Sequence, residues 1–257
     1  MNRNQPKTIL ITGASGGLGS ALALLYAEPV TTLILLGRNK SLLEELGGRC
    51  REKGSRVVIL VLNLRDRNEL MLRLKEICSM EQVDLAIVNA GVNTHIGADG
   101  SGERWESVEE LLEVNIVGSM ATVHAILPFM RARGDGQIVL ISSLAAYYGL
   151  PITPSYSASK AAIKVYGEAL RGWLAPEGVR VNVVMPGYVE SKMCREMPGP
   201  KPFLWTAERA AKSIQMGIAA NRPRISFPFP LNLGCWLLSV IHPAIAQRIL
   251  RLLNYHA

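Results

Sequence analysis

The chain has 257 residues, of which 49% are hydrophobic, and its 28 Lys and Arg outnumber its 21 Asp and Glu, so the formal net charge is +7. This length and apolar content suit one domain with a sizeable core and require no second domain. The four cysteines lie far apart, without a Cys-x-x-Cys pair or a histidine at metal-ligand spacing, so neither a disulfide framework nor a metal site is expected.

Apolar strand patterns alternate with amphipathic helix patterns along most of the chain. We expect strands at about 7–12, 32–36, 56–61, 84–88, 137–142 and 179–184, and helices at 17–27, 41–53, 66–78, 107–131 and 155–174. Ser41 and Glu44 predict a capping box at the start of the second helix. Such alternation is typical of a parallel sheet with helices on both faces, so we predict a single-domain α/β fold.

A glycine-rich turn follows the first predicted strand. Its sequence is TGASGGLG (residues 12–19), and a helix pattern begins directly after it. Glycines let the backbone turn tightly and approach a pyrophosphate, while the helix N-terminus presents free N–H groups and a partial positive charge. Because strand, glycine turn and helix occur in this order, the pattern favours dinucleotide binding over a merely structural turn.

Tyr156 and Lys160 are four residues apart on the helix predicted at 155–174, so their side chains share one face. A free phenol loses its proton near pH ~10, and a nearby cation favours the phenolate. The pair therefore predicts a proton donor and acceptor that works near neutral pH.

These patterns together resemble the short-chain dehydrogenase/reductase family, from about residue 7 to residue 191. Further matches are Asn89-Ala90-Gly91 after the fourth strand, Asn115, Ser143, and the segment from Pro186-Gly187 to Ser191. Val88 and Ser191 depart from the family's usual Asn and Thr. The resemblance implies a Rossmann-type doubly wound parallel sheet and an oxidoreductase that acts on CH–OH and C=O groups.

The resemblance also implies catalytic roles for Asn115, Ser143, Tyr156 and Lys160. Ser143 would hydrogen-bond the substrate carbonyl and Tyr156 would give it a proton, while Lys160 would lower the pKa of the phenol and hold the ribose. Asn115 would hold a water that joins the lysine to solvent, although a helix-interior Asn can instead bond to backbone. Ser142 is the alternative serine, and it would point to the opposite face if the strand continues.

The choice of cofactor depends on the end of the second strand, where an acid would select NAD and an arginine accommodates the 2′-phosphate of NADP. Arg38 stands there, so NADP is expected and NAD is less favoured, although Gly16 replaces a basic residue common in NADP-dependent members. The resemblance implies cofactor contacts at Gly13, Ser15, Gly17, Leu18, Gly19, Arg38, Asn63, Asn89, Ala90, Gly91, Tyr156, Lys160, Pro186, Gly187, Val189 and Ser191.

We divide the domain into a dinucleotide-binding catalytic part, 1–224, with a substrate loop at about 187–206, and an apolar extension, 225–257. No charged residue lies between Arg224 and Arg248, and residues 201–257 hold seven basic residues against Glu208 alone. The extension could form a subunit interface, a lid over an apolar substrate, or a peripheral membrane contact. Its prolines argue against a membrane-spanning helix.

The sequence thus predicts an NADP-dependent oxidoreductase that forms a homodimer or homotetramer. Its substrate is a carbonyl or alcohol compound, and the sequence favours a hydrophobic one. The alternative is a cofactor-binding protein with little turnover that anchors a complex at a membrane surface. We expect a cytoplasmic location, because no signal-peptide pattern precedes the first strand, with a peripheral position at the inner face of a membrane as the alternative. Nucleic acid is not an expected partner, since the excess charge lies beside an apolar segment.

Overall fold

The computed structural model describes residues 6–97, 100–197, 199–253 and 255. The described residues form one sheet of seven parallel strands, in the order β3-β2-β1-β4-β5-β6-β7. The strands are β1 (Thr8–Thr12), β2 (Thr32–Gly37), β3 (Arg56–Val61), β4 (Leu85–Val88), β5 (Gly136–Ile141), β6 (Val179–Pro186) and β7 (Arg224–Phe227). The helices are α1 (Gly17–Tyr26), α2 (Lys40–Glu52), α3 (Arg67–Met80), α4 (Trp105–Leu112), α5 (Ser119–Arg133), α6 (Pro154–Leu174), α7 (Lys192–Glu196), α8 (Ala207–Ala219), α9 (Leu231–Val240) and α10 (Pro243–Leu252).

The strands bury both faces, as a parallel sheet requires. In β1, Ile9 and Ile11 pack on one side with residues of α1, α2 and α8, whereas Leu10 packs on the other side with residues of α3, α5 and α6. This alternation follows from the two-residue period of a strand. The predicted doubly wound α/β fold is confirmed.

The order of strands reverses between β1 and β4. The chain builds β1, β2 and β3 in one direction, then crosses back so that β4 pairs with the free edge of β1. In open α/β sheets, ligands bind in the crevice outside the carboxyl ends of the strands at such a switch point. The glycine-rich turn after β1 and the Asn-Ala-Gly segment after β4 therefore meet at this crevice.

The capping prediction for α2 is wrong. The helix begins at Lys40, and its N-cap is Asn39, whose side-chain oxygen accepts a hydrogen bond from Leu42 N at 3.1 Å. Asn39 has the extended backbone of a cap residue, whereas Ser41 already lies inside the helix. Asparagine caps as well as serine does, so the sequence pattern placed the cap two positions too late.

The helix predicted at 107–131 is interrupted in the middle. A π-helical turn, Glu113–Gly118, lies between α4 and α5 and carries Asn115. Single π turns inside α-helices occur frequently at functional sites, and hydrophobic periodicity does not reveal them. The run Trp105–Arg133 is long and apolar enough to cross a membrane, but 56% of its most apolar window is buried inside the fold.

The extension begins inside the sheet. Residues 225–227 belong to β7, which pairs with the end of β6 and was not predicted from the sequence. After β7 the chain forms α9 and α10, which are ten residues each. A helix that crosses a bilayer needs about 20 residues, so neither is long enough to span one. Residues 1–5 and 256–257, at the ends of the two assigned parts, lie outside the described residues, as does Pro198 of the substrate loop.

We expect Gly167→Ala to destabilise the fold by about 1–3 kcal/mol, because an added methyl group overpacks the contact between α6 and the sheet. A Cβ on Gly167 would lie 2.6 Å from Val183 Cγ2 and 2.8 Å from Leu140 Cδ1. Gly172 on the same helix has open space around it, so Gly172→Ala should be neutral or stabilise by about 0.5–1 kcal/mol. Urea unfolding of both variants measures the difference. Equal effects would contradict the packing argument.

Candidate active site

One cavity of about 1200 Å³ lies at the carboxyl ends of the central strands. It brings together nearly all the residues that the sequence predicted for the site. The predicted residues that line it are Gly13, Ser15, Gly17, Leu18, Gly19, Arg38, Asn63, Asn89, Ala90, Gly91, Ser143, Tyr156, Lys160, Pro186, Gly187, Val189 and Ser191. Asn115 is the exception, because it is buried behind the residues that line the cavity.

The glycines of the turn after β1 are required by close packing. Gly13 has a positive φ of 63°, and a Cβ there would lie 2.7 Å from Ala90 Cα. A Cβ on Gly17 would lie 2.9 Å from the carbonyl oxygen of Glu190, and one on Gly19 would overlap the carbonyl oxygen of Gly13. A side chain at Gly13 or Gly19 would disturb the contact between the turn and the end of β4, and one at Gly17 would press against the segment after β6.

The N-terminus of α1 opens into the cavity. Its N-cap residue, Gly16, lines the cavity and makes no side-chain cap hydrogen bond. Among the described residues, the first turn of α1 contains no acidic side chain. Free N–H groups and the positive end of the helix dipole suit a pyrophosphate. This uncapped, glycine-lined end therefore fits the diphosphate of a dinucleotide.

A cluster of hydrogen bonds fastens the turn to β4. Asn89 Nδ2 donates to the carbonyl oxygens of Thr12 and Gly13, at 3.0 and 3.2 Å. Thr12 Oγ1 accepts from the backbone N–H groups of Asn89 and Ala90, both at 3.0 Å. The side-chain amide nitrogen of Asn89 thus donates to the protein backbone. Thr12 was missing from the predicted site, although it is the first residue of the glycine pattern.

The carboxyl ends of β2 and β3 carry the residues expected at the adenosine side, since Arg38 follows β2 and Asn63 follows β3. Arg38 Nη1 forms an ion pair with Glu110 Oε1 of α4 at 2.9 Å. Asn63 Oδ1 accepts a hydrogen bond from Arg65 N at 3.1 Å and retains a second lone pair. Arg38 and Asn63 both line the cavity, so a guanidinium and an amide are available to the adenosine half of a dinucleotide.

Ser143, Tyr156 and Lys160 form one cluster in the cavity. Tyr156 is hydrogen-bonded to Ser143. Lys160 Nζ lies 5.6 Å from the centre of the Tyr156 ring and donates to the carbonyl oxygen of Ile141 at 3.1 Å. Two hydroxyl groups and one amine can thus act on the same ligand.

Burial controls the protonation of this cluster. It raises the pKa of Tyr156 above its ordinary value, and the hydrogen bond with Ser143 opposes that rise in part. It also lowers the pKa of Lys160 to about 8. From the sequence we expected the Lys160 ammonium to lower the pKa of the Tyr156 phenol. In this structure desolvation is the larger effect on both groups, because charged forms lose hydration when buried.

Asn115 holds the segment that follows β4. Its Oδ1 accepts from Val92 N at 2.8 Å, and its Nδ2 donates to Val92 O and Ser159 Oγ, both at 3.0 Å. A Cβ on Gly91 would lie 3.2 Å from Asn115 Oδ1 and 3.3 Å from Lys160 Nζ. Asn115 therefore lies close to Lys160 but behind the backbone that lines the cavity.

Ser142, the alternative serine, points into the core. Its Oγ donates to the carbonyl oxygen of Lys160 at 2.7 Å, and the residue is 2% exposed. Ser143 lines the cavity beside Tyr156. The geometry thus favours Ser143 because successive strand residues face opposite sides.

The segment after β6 closes the cavity near the glycine turn. Gly187 N donates to the carbonyl oxygen of Phe227 at 2.8 Å, which ties the segment to β7. Ser191 caps α7, since its Oγ accepts from Cys194 N at 3.1 Å. Val189 forms an isolated bridge with Trp205, so both ends of the substrate loop are held together.

The C-terminal helices α9 and α10 form a large part of the cavity wall, an extent that was not predicted from the sequence. Leu231 and Cys235 of α9 pack against the cluster of Leu144, Val183 and Met185. The apolar residues of this C-terminal wall are Leu231, Cys235, Leu237, Leu238, Ile241, Ile249, Leu250 and Leu253. From their apolar character the sequence offered a lid over an apolar substrate as one of three roles for 225–257, but it did not indicate which residues line the cavity.

A hydrogen-bonded chain joins this wall to the substrate loop. Tyr188 Oη and Tyr255 Oη are 2.9 Å apart, and Tyr255 Oη donates to the carbonyl oxygen of Pro200 at 3.1 Å. Both tyrosines line the cavity. The chain end therefore fixes the shape of the cavity.

Comparison with known proteins shows the family to which the chain is similar. Residues 7–200 match the family model described as short chain dehydrogenase. An uncharacterized oxidoreductase of Myxococcus xanthus is 34% identical over 238 residues, which cover 91% of this chain and 92% of that protein. One of Mycobacterium tuberculosis is 36% identical over 239 residues, with 90% and 93% covered.

Among solved structures, a short-chain dehydrogenase from Sphingobium yanoikuyae in complex with NADPH has a TM-score of 0.80 and 25% identity. The alignment covers 93% of this chain and 97% of that one. Fold, cavity and sequence similarity agree with one another. The chain belongs to the short chain dehydrogenase family and is an NAD(P)-dependent oxidoreductase.

Proposed function

We propose that the protein is an NADP-dependent oxidoreductase for a hydrophobic carbonyl or alcohol substrate, with Tyr156 as its general acid or base. The observation that carries this proposal is the cluster of Ser143, Tyr156 and Lys160 in the same cavity as the uncapped α1 N-terminus. The family resemblance supports a homodimer or homotetramer in the cytoplasm.

In the reducing direction, Ser143 and Tyr156 donate hydrogen bonds to the substrate oxygen, and Tyr156 transfers its proton to that oxygen. A bound nicotinamide supplies the hydride. Lys160, with a pKa of about 8, is a stronger acid than the buried phenol, so its ammonium can return a proton to the phenolate. Asn115 supports this transfer by holding the backbone beside Lys160.

Arg38 supports NADP as the cofactor. A guanidinium can contact a 2′-phosphate, and no acid follows β2 to bind a ribose hydroxyl. Ser15 lies next to this end of β2, since a Cβ on Gly37 would be 3.2 Å from Ser15 Oγ. The related structure with NADPH is in line with this choice.

The apolar part of the cavity supports a hydrophobic substrate. Met193 and Met197 of the substrate loop face the same cavity as the C-terminal wall. Flexible thioether and aliphatic side chains suit an irregular apolar ligand. We therefore propose a ketone or secondary alcohol with a bulky or extended apolar group.

The second candidate, a membrane-surface or complex-anchoring protein with little turnover, rests on the outer face of α9. Leu233, Trp236 and Val240 lie along that face, and each is at least 43% exposed. Arg248 and Arg251 of α10 are exposed, and neither has an ion-pair partner among the described residues. Apolar anchors beside free arginines suit an anionic lipid surface. Peripheral membrane contact through 225–257 is compatible with enzyme activity, because the inner face of α9 serves the cavity.

We expect Tyr156→Phe to reduce turnover by ~10²–10⁴-fold, because the ring remains and only the transferable proton is lost. NADPH binding should be unchanged. Tyr166→Phe is the matched control, since Tyr166 lies on the same helix outside the cavity and should retain turnover. NADPH consumption with a panel of ketones and aldehydes gives the measurement. Wild-type rates from Tyr156→Phe would refute the mechanism.

We expect NADPH to bind more tightly than NADH, and Arg38→Ala to remove the difference. A charge-assisted contact to phosphate contributes roughly 1.5–3 kcal/mol, or about one to two decades in affinity. Arg65→Ala is the control, because Arg65 also pairs with an acid, Glu113, but does not line the cavity. Fluorescence titration measures both cofactors. Equal affinities in the wild type would argue against NADP selection.

We expect the full-length protein to co-sediment with vesicles that contain phosphatidylserine, and to do so less at high salt. Replacing Arg248 and Arg251 with Gln should weaken binding by about fivefold per arginine, since each basic residue contributes about 1 kcal/mol at such a surface. Arg67→Gln, an exposed arginine at the start of α3, should have little effect. If the wild type ignores vesicles at low salt, the membrane contact is wrong.

A further inference from the structure

Arg38 already has an anionic partner in the structure. It lines the cavity directly after β2, yet its Nη1 is bonded to Glu110 of α4 at 2.9 Å. The Arg38 side chain is 57% exposed and that of Glu110 is 35% exposed. The pair thus joins β2 to α4 at the adenosine side of the cavity, where an incoming ligand can reach it.

A second pair of the same kind lies one turn away. Glu113 pairs with Arg65, which follows β3, at 2.6 Å between Oε2 and Nε. Glu110 and Glu113 are three residues apart and so share a helix face. Arg38 lines the cavity and Arg65 does not. The two pairs therefore differ chiefly in their access to the cofactor.

A 2′-phosphate bound to Arg38 would have two unfavourable effects at Glu110. It would compete with the carboxylate for the guanidinium, and it would place further negative charge close to that carboxylate. A neutral 2′-hydroxyl does neither. We infer that Glu110 is a specificity-determining residue that weakens the preference for a 2′-phosphorylated cofactor by holding Arg38. This inference rests on the proposed role of Arg38.

The test is the Glu110→Gln variant, whose dissociation constants for NADPH and NADH are measured by fluorescence titration. The amide keeps the shape of the side chain but removes its charge. We expect NADPH to bind about two- to fivefold more tightly, the range expected when an exposed ion pair is lost, and NADH to be unaffected. Glu113→Gln is the matched control and should change neither constant.

Arg38→Ala provides a second control. If Glu110 acts by holding Arg38, the gain from Glu110→Gln should shrink in the Arg38→Ala background. The salt dependence should agree, because added salt screens the exposed pair and should reduce the difference between the wild type and Glu110→Gln. An equal gain with and without Arg38 would mean simple charge repulsion, and the inference would be wrong.

Three other results would overturn the inference. Weaker NADPH binding by Glu110→Gln would show that Glu110 instead orients Arg38 toward the phosphate. An equal gain for both cofactors, or the same gain from Glu113→Gln, would show a general charge effect. A wrong choice of cofactor would give a different result, because the wild type would then bind NADPH no more tightly than NADH. In that case, tighter binding of NADPH alone by Glu110→Gln would still support the inference.

Discussion

The close approach of the turn after β1 to the end of β4 organises the whole site. Gly13 packs directly on Ala90, and Asn89 bonds to the backbone of Thr12 and Gly13. These contacts leave the N–H groups of α1 open toward the cavity. The same close packing continues at Gly91, where the absence of a side chain lets Asn115 and Lys160 lie against the backbone. The proposed sites of phosphate binding and proton transfer thus lie along one line of backbone packing.

The cavity combines a polar half and an apolar half. The glycine turn, Arg38 and the Ser143–Tyr156–Lys160 cluster supply hydrogen-bonding groups, while α9 and α10 supply a nearly hydrocarbon wall. Burial raises the pKa of Tyr156 and lowers that of Lys160 to about 8, so the polar half holds an amine whose pKa is close to neutral pH.

The C-terminal extension, 225–257, contributes side chains both to the core and to the exposed surface. The inner residues of α9, such as Cys235, pack against the core beside the cavity, and the outer residues, such as Trp236, remain exposed. A helix that is apolar all round needs a partner on its second side. The Tyr188–Tyr255 hydrogen bond joins this extension to the substrate loop.

The sequence by itself determined the features that depend on neighbours in the chain. Strand and helix alternation predicted the doubly wound sheet, residues 12–19 predicted a dinucleotide turn, and the four-residue spacing of Tyr156 and Lys160 predicted their shared face. Only the tertiary structure decided that Arg38 meets Glu110, that Arg224–Phe227 is a seventh strand, and that α9 walls the cavity. These contacts join segments up to about a hundred residues apart, so no local period in the sequence records them. Burial, which sets the protonation of Lys160, is likewise a property of the assembled fold.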